Sequence, residues 1–95
     1  MTCHVEQGVR VSRDTDAISQ HGVVTYTLTT GENGTALTGT GDTCVFTAAT
    51  SGYVRVSGAA ATKAAAATNH RVIANVARTI VGVAKGDFVS YLADS

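Results

Sequence analysis

The stretch TCVFTAATSGYVRVSG, residues 43–58, decides the fold class of this 95-residue chain. Its two ends, TCVFTA and YVRVSG, are short runs rich in β-branched and aromatic residues, which favour strands. In the second run Val54 and Val56 alternate with polar neighbours, so one side should pack while the other faces water or a partner. Between the runs, Ser51-Gly52 indicates a tight turn. The stretch therefore predicts two short strands of a β domain.

Strand-like segments continue over most of the chain. They carry Val, Ile, Thr and aromatic residues, with period two clearest in the run VVTYTLTT. No proline interrupts them, and ten glycines are available for turns. This pattern predicts a single all-β domain over residues 1–95, a small β-barrel or β-sandwich with Gly-rich loops and at most one short helix. The further segments are VRVSR (9–13), VVTYTLTT (23–30), RVIANVA (71–77), RTIVGVA (78–84) and DFVSYLA (87–93).

Glycine and acidic residues mark the expected turns. Residues 32–34, Glu-Asn-Gly, predict a turn that joins VVTYTLTT to TALTG as a hairpin, because Asn-Gly accommodates positive φ. Residues 85–87, Lys-Gly-Asp, predict a second turn. Asp42 and Asp87 each follow a glycine just before a strand, where a carboxylate can close a turn. Gly82, inside TIVGVA, indicates a β-bulge or a close backbone approach.

Two segments have helical features. Residues 14–22 begin with an aspartate and end with a glycine, the pattern of a capped helix. Residues 58–70, GAAATKAAAATNH, have high helix propensity but no amphipathic stripe of large residues, and helices of this length are marginal on their own. For residues 58–70, a short helix packed on the barrel and an extended alanine-rich loop both remain open, with the loop slightly favoured.

The charge balance excludes several classes of partner. Seven basic and seven acidic residues give a net charge of zero, and neither sign forms a block. Nucleic acids and anionic membranes attract basic clusters, so neither is an expected partner. No apolar run approaches the roughly 20 residues that span a bilayer. The N-terminal segment lacks the apolar centre of a signal peptide, which favours reduced thiols at Cys3 and Cys44, while a disulfide between them stays open.

The ionisable and nucleophilic side chains form no pattern of known chemistry. His4, His21 and His70 are far apart in the sequence, whereas a zinc site needs closely spaced ligand pairs. Asp-Thr-Asp at residues 14–16 lacks the further ligands and the glycine of a calcium loop. No nucleophile-elbow or phosphate-loop pattern is present. The sequence therefore predicts no catalytic residue, no cofactor and no metal, and the chain is not expected to be an enzyme.

The segments GDTCVFTAATSGYVRVSGAA (41–60) and RTIVGVAKGDFVSYLADS (78–95) carry a family resemblance. Together they resemble the small β-barrel decoration, or cement, proteins of tailed bacteriophage capsids. Members of that group have an acidic or Gly-Asp turn, a strand, a GxVxV-(S/T)-G-A-A segment, a strand with iGvA, and a final apolar strand after a turn. The corresponding segments here are GYVRVSGAA, VGVA and FVSYL. The chain departs from the pattern where ATKAAAATNH replaces the Gly-Asp turn after GAA.

This resemblance implies a structural virion protein without catalytic activity. It would be made in the host cytoplasm and bind the major capsid protein on the capsid exterior, and self-association as a homotrimer is a further implied contact. The expected interface lies on a flexible N-terminal arm over residues 1–8, on the Gly-rich loop 31–42 and on the alanine-rich stretch. The candidate interface residues are Thr2, His4, Glu6, Glu32, Asn33, Thr35, Lys63 and Asn69.

The segments FTAATSGYVRV and VAKGDFVSYLAD are also similar to the C1q- and tumour-necrosis-factor-like jelly rolls of phage fibres and collagen-like proteins. That pattern is F-T-x-x-x-x-G-x-Y with a later G-D-x-V-x-x-x-L. Here Tyr53 follows Gly52 directly, and Leu92 comes one residue early after Val89. Each slip would put a side chain on the other strand face. The second resemblance implies the alternative function of a trimeric jelly-roll module in a phage fibre or adhesin.

Overall fold

The computed structural model describes residues 1–11, 18–58 and 69–94. Every regular element in these residues is a β-strand, which confirms the predicted all-β class. Most strands coincide with the runs of β-branched and aromatic residues, whose side chains pack well on a pleated surface. Two segments differ from the prediction: TCHVEQG, which is not such a run, forms β1, and the described residues of VRVSR (9–13) form only an isolated bridge between Arg10 and Ile18. They are β1 (Thr2–Gly8), β2 (Val24–Thr29), β3 (Thr35–Ala36), β4 (Thr43–Ala48), β5 (Gly52–Ser57), β6 (His70–Val72), β7 (Arg78–Val81) and β8 (Phe88–Ala93).

The strands form two antiparallel sheets. The first sheet has the order β2-β1-β4-β7, and the second has the order β3-β8-β5-β6. The pairs are nested along the chain, because β5 pairs with β6, β4 with β7, and β3 with β8. Such nesting is the jelly-roll arrangement. In the usual jelly roll, a strand that follows β8 lies between β2 and β4. Here the N-terminal strand β1 occupies that position and pairs with both of them.

The core lies between the inner faces of the two sheets. Val5 and Phe46 face inward from the first sheet, and Val54 and Tyr91 face inward from the second. Val56 packs against the same cluster, which confirms the inward side predicted for the YVRVSG strand. Burial of each large apolar side chain contributes roughly 1.5–3 kcal/mol. With few aromatics available, close packing of Val, Leu and Cys provides the rest of the core.

Backbone hydrogen bonds join the two sheets at opposite edges. Next to β2, the Gly31 N–H donates to the Tyr91 carbonyl of β8 at 3.0 Å. Across the molecule, the Asn75 N–H donates to the Ala48 carbonyl at the end of β4 at 2.7 Å. These bonds satisfy polar groups that would otherwise lie unpaired at the corners of the sandwich.

The side chain of Gln7 joins the first sheet to the crossover between β3 and β4. Its Nε2 donates to the carbonyls of Gly39 and Gly41, each at 2.9 Å. Its Oε1 accepts a hydrogen bond of 2.6 Å from the Tyr26 hydroxyl. The Tyr26 oxygen in turn accepts the Thr38 N–H at 3.0 Å. Gln7 is fully buried, and these bonds use both donors of its amide and its carbonyl oxygen.

Gly41 is required because the crossover lies directly on β1. A Cβ at this position would be 2.4 Å from the carbonyl carbon and oxygen of Gly8. A Cβ at Gly39 would be 2.9 Å from Gln7 Oε1 and 3.0 Å from Val24 Cγ2. The glycines at this end of the Gly-rich segment therefore allow close packing of backbone on backbone.

The prediction of a flexible N-terminal arm over residues 1–8 is wrong. Thr2–Gly8 forms β1, which is paired with β2 on one side and with β4 on the other. Cys3, Val5 and Gln7 alternate inward along it and are all buried. The period-two signal is weak in the sequence because one of these inward residues is polar.

The predicted hairpin between VVTYTLTT and TALTG is also wrong, because β2 and β3 lie in different sheets. The turn after β2 comes earlier than Asn-Gly. The Glu32 N–H donates to the Thr29 carbonyl at 3.2 Å, and Gly31 has a φ of 76°. Ser51-Gly52 likewise forms no tight turn, since Gly52 begins β5 and the chain changes sheet between β4 and β5.

The predicted turn at Asp87 and the irregularity at Gly82 are confirmed, whereas the Asp42 carboxylate accepts only the hydroxyl of the adjacent Thr43, at 3.0 Å, among the described residues. Asp87 Oδ2 accepts the Ala84 N–H at 3.0 Å and closes the Lys-Gly-Asp turn. The N–H groups of Gly82 and Val83 both donate to the Asp42 carbonyl, at 2.8 and 3.1 Å, and Gly82 has a φ of 83°. Two residues opposite one, with glycine at positive φ, make a β-bulge.

The choice between helix and loop for residues 58–70 falls mainly on residues outside the described part of the chain. The same holds for residues 14–17 of the other segment with helical features.

We expect Gly41→Ala to lower the free energy of unfolding by about 3 kcal/mol, because the new Cβ overlaps the Gly8 backbone and neither the crossover nor β1 can move freely. Gly58→Ala is the matched control, since its Cβ would meet only Asp87 Oδ1 at 4.0 Å. We expect the control to change stability by less than about 0.5 kcal/mol. Urea denaturation measures both variants, and equal stability of the two would contradict the packing argument.

We expect Gln7→Leu to lower the free energy of unfolding by about 3 kcal/mol, since it leaves the carbonyls of Gly39 and Gly41 without their donor and the Tyr26 hydroxyl without its acceptor. The exposed Gln20 provides the control, and Gln20→Leu should leave stability within about 0.5 kcal/mol of the wild type. Chemical denaturation followed by circular dichroism measures the difference. A neutral Gln7→Leu would show that the crossover does not depend on this amide.

Candidate protein-interaction surface

The outer side of the first sheet presents a surface made mainly of threonine. Because side chains alternate along a strand, every second residue of its four strands points away from the core. We call this surface the threonine face. It consists of Thr2, His4, Glu6, Thr25, Thr27, Thr29, Val45, Thr47, Thr79 and Val81.

The strand register places His4 and Glu6 in the middle of the threonine face. His4 lies opposite Thr27 of β2 and Thr47 of β4. Glu6 follows two residues later on the same side of β1, and its Oε2 is 3.6 Å from His4 Nε2. Both side chains are substantially exposed, so water screens this pair and it adds little to stability. Both side chains are instead available for polar contacts with a partner.

Threonine gives this face methyl groups and hydroxyls side by side. A hydroxyl both donates and accepts hydrogen bonds, and the β-branched side chain has few rotamers to lose when a partner binds. Apart from His4 and Glu6, the residues of the threonine face carry no ionisable group. Such a surface suits a partner protein that buries both apolar area and neutral hydrogen-bonding groups.

The structure places the candidate interface residues in separate regions. Thr2, His4 and Glu6 lie together on the threonine face, as part of a strand. Glu32 and Asn33 lie in the exposed connection after β2, and Thr35 begins β3 at the edge of the second sheet. Asn69 precedes β6, at the far edge of the second sheet, and Lys63 lies outside the described residues. Their contact with a partner stays a prediction.

The sequence interpretation missed the threonines of β2, β4 and β7. The signal was present, since VVTYTLTT alternates threonine with inward Val24, Tyr26 and Leu28. Only the apolar half of that alternation entered the prediction. Joining the polar half to β1 requires the strand order, which places β1 between β2 and β4.

The outer side of the second sheet carries a network that is already internally paired. The Arg71 guanidinium lies 4.9 Å from the centre of the Tyr53 ring and makes two hydrogen bonds of 2.8 Å with the Asp94 carboxylate. These hydrogen bonds hold the pKa of Asp94 below its usual value. The network ties the end of β8 to β6, so its polar groups are less available to a partner than those of the threonine face.

Both cysteine thiols are free and buried on the inner side of the first sheet. Cys3 lies opposite Ala48, and Cys44 lies opposite Gln7. They are thus separated by four positions along β4, roughly 13 Å, which is beyond the reach of a disulfide. Burial raises the pKa of Cys3 to about 11. Burial, with a smaller effect of the nearby Asp87 charge, raises the pKa of Cys44 to about 12.

Within residues 1–11, 18–58 and 69–94, no cluster of three or more His, Cys, Asp or Glu side chains could hold a metal ion. No cavity of pocket size occurs in the described part of the chain. The residues that the structure describes also include no helix long and apolar enough to cross a membrane.

Comparison of the chain with protein-family models, with curated proteins and with solved structures finds no match.

The raised thiol pKa values predict that stability falls at high pH. In the unfolded chain both thiols ionise near pH 9, whereas in the folded chain they stay protonated until about pH 11 and pH 12. Their contribution is therefore fully present below pH 9 and is lost as the pH rises toward 11 and 12. Each thiol contributes a slope of at most about 1.4 kcal/mol per pH unit.

Other groups also lose protons at high pH. Comparison of the wild type with the Cys3→Ala/Cys44→Ala variant therefore isolates the contribution of the two thiols. Urea denaturation between about pH 8 and about pH 11 should show a steeper loss of stability for the wild type than for the variant. Parallel curves would contradict the assignment of the slope to the buried thiols.

Proposed function

We propose that this chain is a capsid decoration, or cement, protein of a tailed bacteriophage, and that it binds the major capsid protein through the threonine face. The observation that carries the proposal is that face itself, a broad and nearly uncharged sheet surface with Thr2, His4 and Glu6 of β1 at its centre. The resemblance of residues 41–60 and 78–95 to cement proteins supports the choice of partner.

Mass action would provide the mechanism. A protein that binds the assembled head more tightly than its precursor stabilises the assembled state by the difference in binding free energy. Many copies on a lattice would hold neighbouring capsid subunits together, although each single contact is weak. No catalytic residue, cofactor or metal is part of this mechanism.

Charge supports a location on the virion exterior. A net charge of zero gives the chain no general attraction to packaged DNA or to anionic membranes. The neutral threonine face would instead favour a protein surface of similar polarity. Nucleic acid and membrane are therefore not proposed as partners.

The role of β1 decides how the proposal must be tested. Deleting residues 1–6 would remove most of a strand that pairs on both sides, so loss of binding after such a deletion would report unfolding. Point substitutions on the outer face avoid this problem, because outward side chains of interior strands make no core contacts.

We expect Thr47→Lys to weaken binding to undecorated phage heads by roughly tenfold or more, because it places a long charged side chain beside His4 in the middle of the threonine face, where a partner would have to desolvate it. Thr35→Lys makes the same change at a candidate interface residue in β3, on the other sheet, and so separates the two surfaces, because binding through the threonine face leaves this variant unaffected. Co-sedimentation of each purified variant with heads measures occupancy, and heat resistance of the heads reports stabilisation. If the wild type neither binds nor protects heads, the proposed function is wrong, and if only Thr35→Lys weakens binding, the proposed face is wrong.

A trimeric jelly-roll module of a phage fibre or adhesin is the second candidate. The nested strand order favours it, since this is the architecture of the C1q- and tumour-necrosis-factor-like proteins that the second resemblance names. Architecture alone does not imply function. This candidate predicts a stable homotrimer that binds a glycan or a cell-surface receptor and has no affinity for heads.

A further inference from the structure

We infer that β2 is a dimerisation strand, and that two copies of this chain pair through their β2 edges in antiparallel fashion to form a continuous eight-stranded sheet. This inference does not rest on the proposed function.

The hydrogen bonds to β1 show which backbone groups of β2 are free. The Thr30 N–H donates to the Met1 carbonyl at 3.0 Å, so Thr30 and Met1 form a hydrogen-bonded pair at the start of the register. Such pairs alternate along an antiparallel ladder, so Leu28, Tyr26 and Val24 are the next residues bonded to β1. The backbone N–H and C=O groups of the threonines between them, Thr25, Thr27 and Thr29, point to the open side.

In the described residues, β1 is the only strand neighbour of β2. The side chains of Thr25, Thr27 and Thr29 are exposed on the outer face, and no backbone hydrogen bond from another described residue reaches the Thr25 and Thr27 backbone groups on the open side. The Thr29 carbonyl also accepts the Glu32 N–H at 3.2 Å, but a carbonyl oxygen can accept two hydrogen bonds.

The β2 edge lacks the protection that sheet edges normally have. Exposed edges are blunted by short length, charge, proline or bulges. Among the other outer strands of the described sheets, β3 has two residues, β6 has three and includes His70 and Arg71, and β7 begins with Arg78 and runs into the bulge at Gly82. By contrast, β2 has six residues, VTYTLT, with no charge, glycine or proline.

The same sequence is suited to pair with its own copy. A twofold axis at Thr27 would place Thr27 opposite itself and Thr25 opposite Thr29 of the second copy, each pair exchanging two hydrogen bonds. Threonine pairs across strands are favourable, and no like charges meet in β2. Because Glu6 lies opposite Thr25, the Glu6 carboxylates of the two copies would be three strand spacings apart across the sheet and also offset along it, roughly 20 Å in all, where salt screens their repulsion.

Sedimentation velocity over a wide range of protein concentration tests this inference. We expect a dimer in the wild type, and a rise of roughly tenfold or more in its dissociation constant for both Thr27→Lys and Thr27→Pro. Lysine would put two like charges at the twofold axis. Proline removes only an N–H that points away from β1, so the fold should survive, and circular dichroism checks this. If Thr27→Pro does not fold, Thr27→Lys gives the result alone.

Thr47→Lys is the matched control, because it adds the same charge to the threonine face on the interior strand β4. It should leave the dimer unchanged, which also separates dimerisation from binding to heads. Amide exchange gives a second readout, since the Thr25 and Thr27 amides should exchange more slowly as protein concentration rises. A wild-type monomer at all concentrations, a trimer, or a dimer unaffected by either Thr27 substitution would overturn the inference.

Discussion

The hydrogen bonds of the Gln7 amide are the constraint on which the two-sheet arrangement depends. The chain must leave the second sheet after β3 and enter the first sheet at β4, and this crossover buries backbone carbonyls that have no strand partner. Gln7 supplies donors to two of them and accepts the Tyr26 hydroxyl. Without these bonds, the crossover would have to keep its carbonyls in water, and Gly41 could not lie against Gly8. One polar side chain thereby fixes the spacing between β1 and the segment that feeds β4.

Because Gln7 belongs to β1, its hydrogen bonds also make the first residues of the chain part of the folded core. β1 lies between β2 and β4, and its inward residues are Cys3, Val5 and Gln7. Its pairing with β4 joins segments about forty residues apart, so closure of the sandwich depends on non-local contacts that form at a high loop-closure cost. The first and the last strand of the fold are therefore both paired within a sheet: β1 pairs with β2 and β4, and β8 pairs with β3 and β5. The chain therefore has little freedom to release β1 for binding without losing the fold.

The sequence predicted what local patterns control and failed where partners are distant. The alternation around Val54 and Val56 predicted an inward side correctly, because strand period is a local property. The turn at Asp87 and the bulge at Gly82 were also predictable, since each depends on a few adjacent residues. The prediction of a β2–β3 hairpin was wrong because turn residues indicate where a chain can reverse but do not determine which sheet the next strand joins. The threonine face could be predicted one strand at a time, but its assembly around His4 required a strand order that no local pattern contains.

Strand propensity explains some of the threonines in this fold and leaves others to be explained by a partner. Thr43 is fully buried and lies between Gly8 and Val81, where a small β-branched residue fills the available space. The β2 threonines are different, because an exposed edge position accepts lysine or glutamate at little cost to the strand and gains protection from self-association. Folding alone therefore does not require β2 to be neutral. A neutral edge is instead what a sheet needs if it is to continue into a second copy, and a neutral outer face is what it needs to lie against another protein. The two surfaces meet along β2, so pairing of edges would double the width of the threonine face and leave the strands at the seam free of charged side chains.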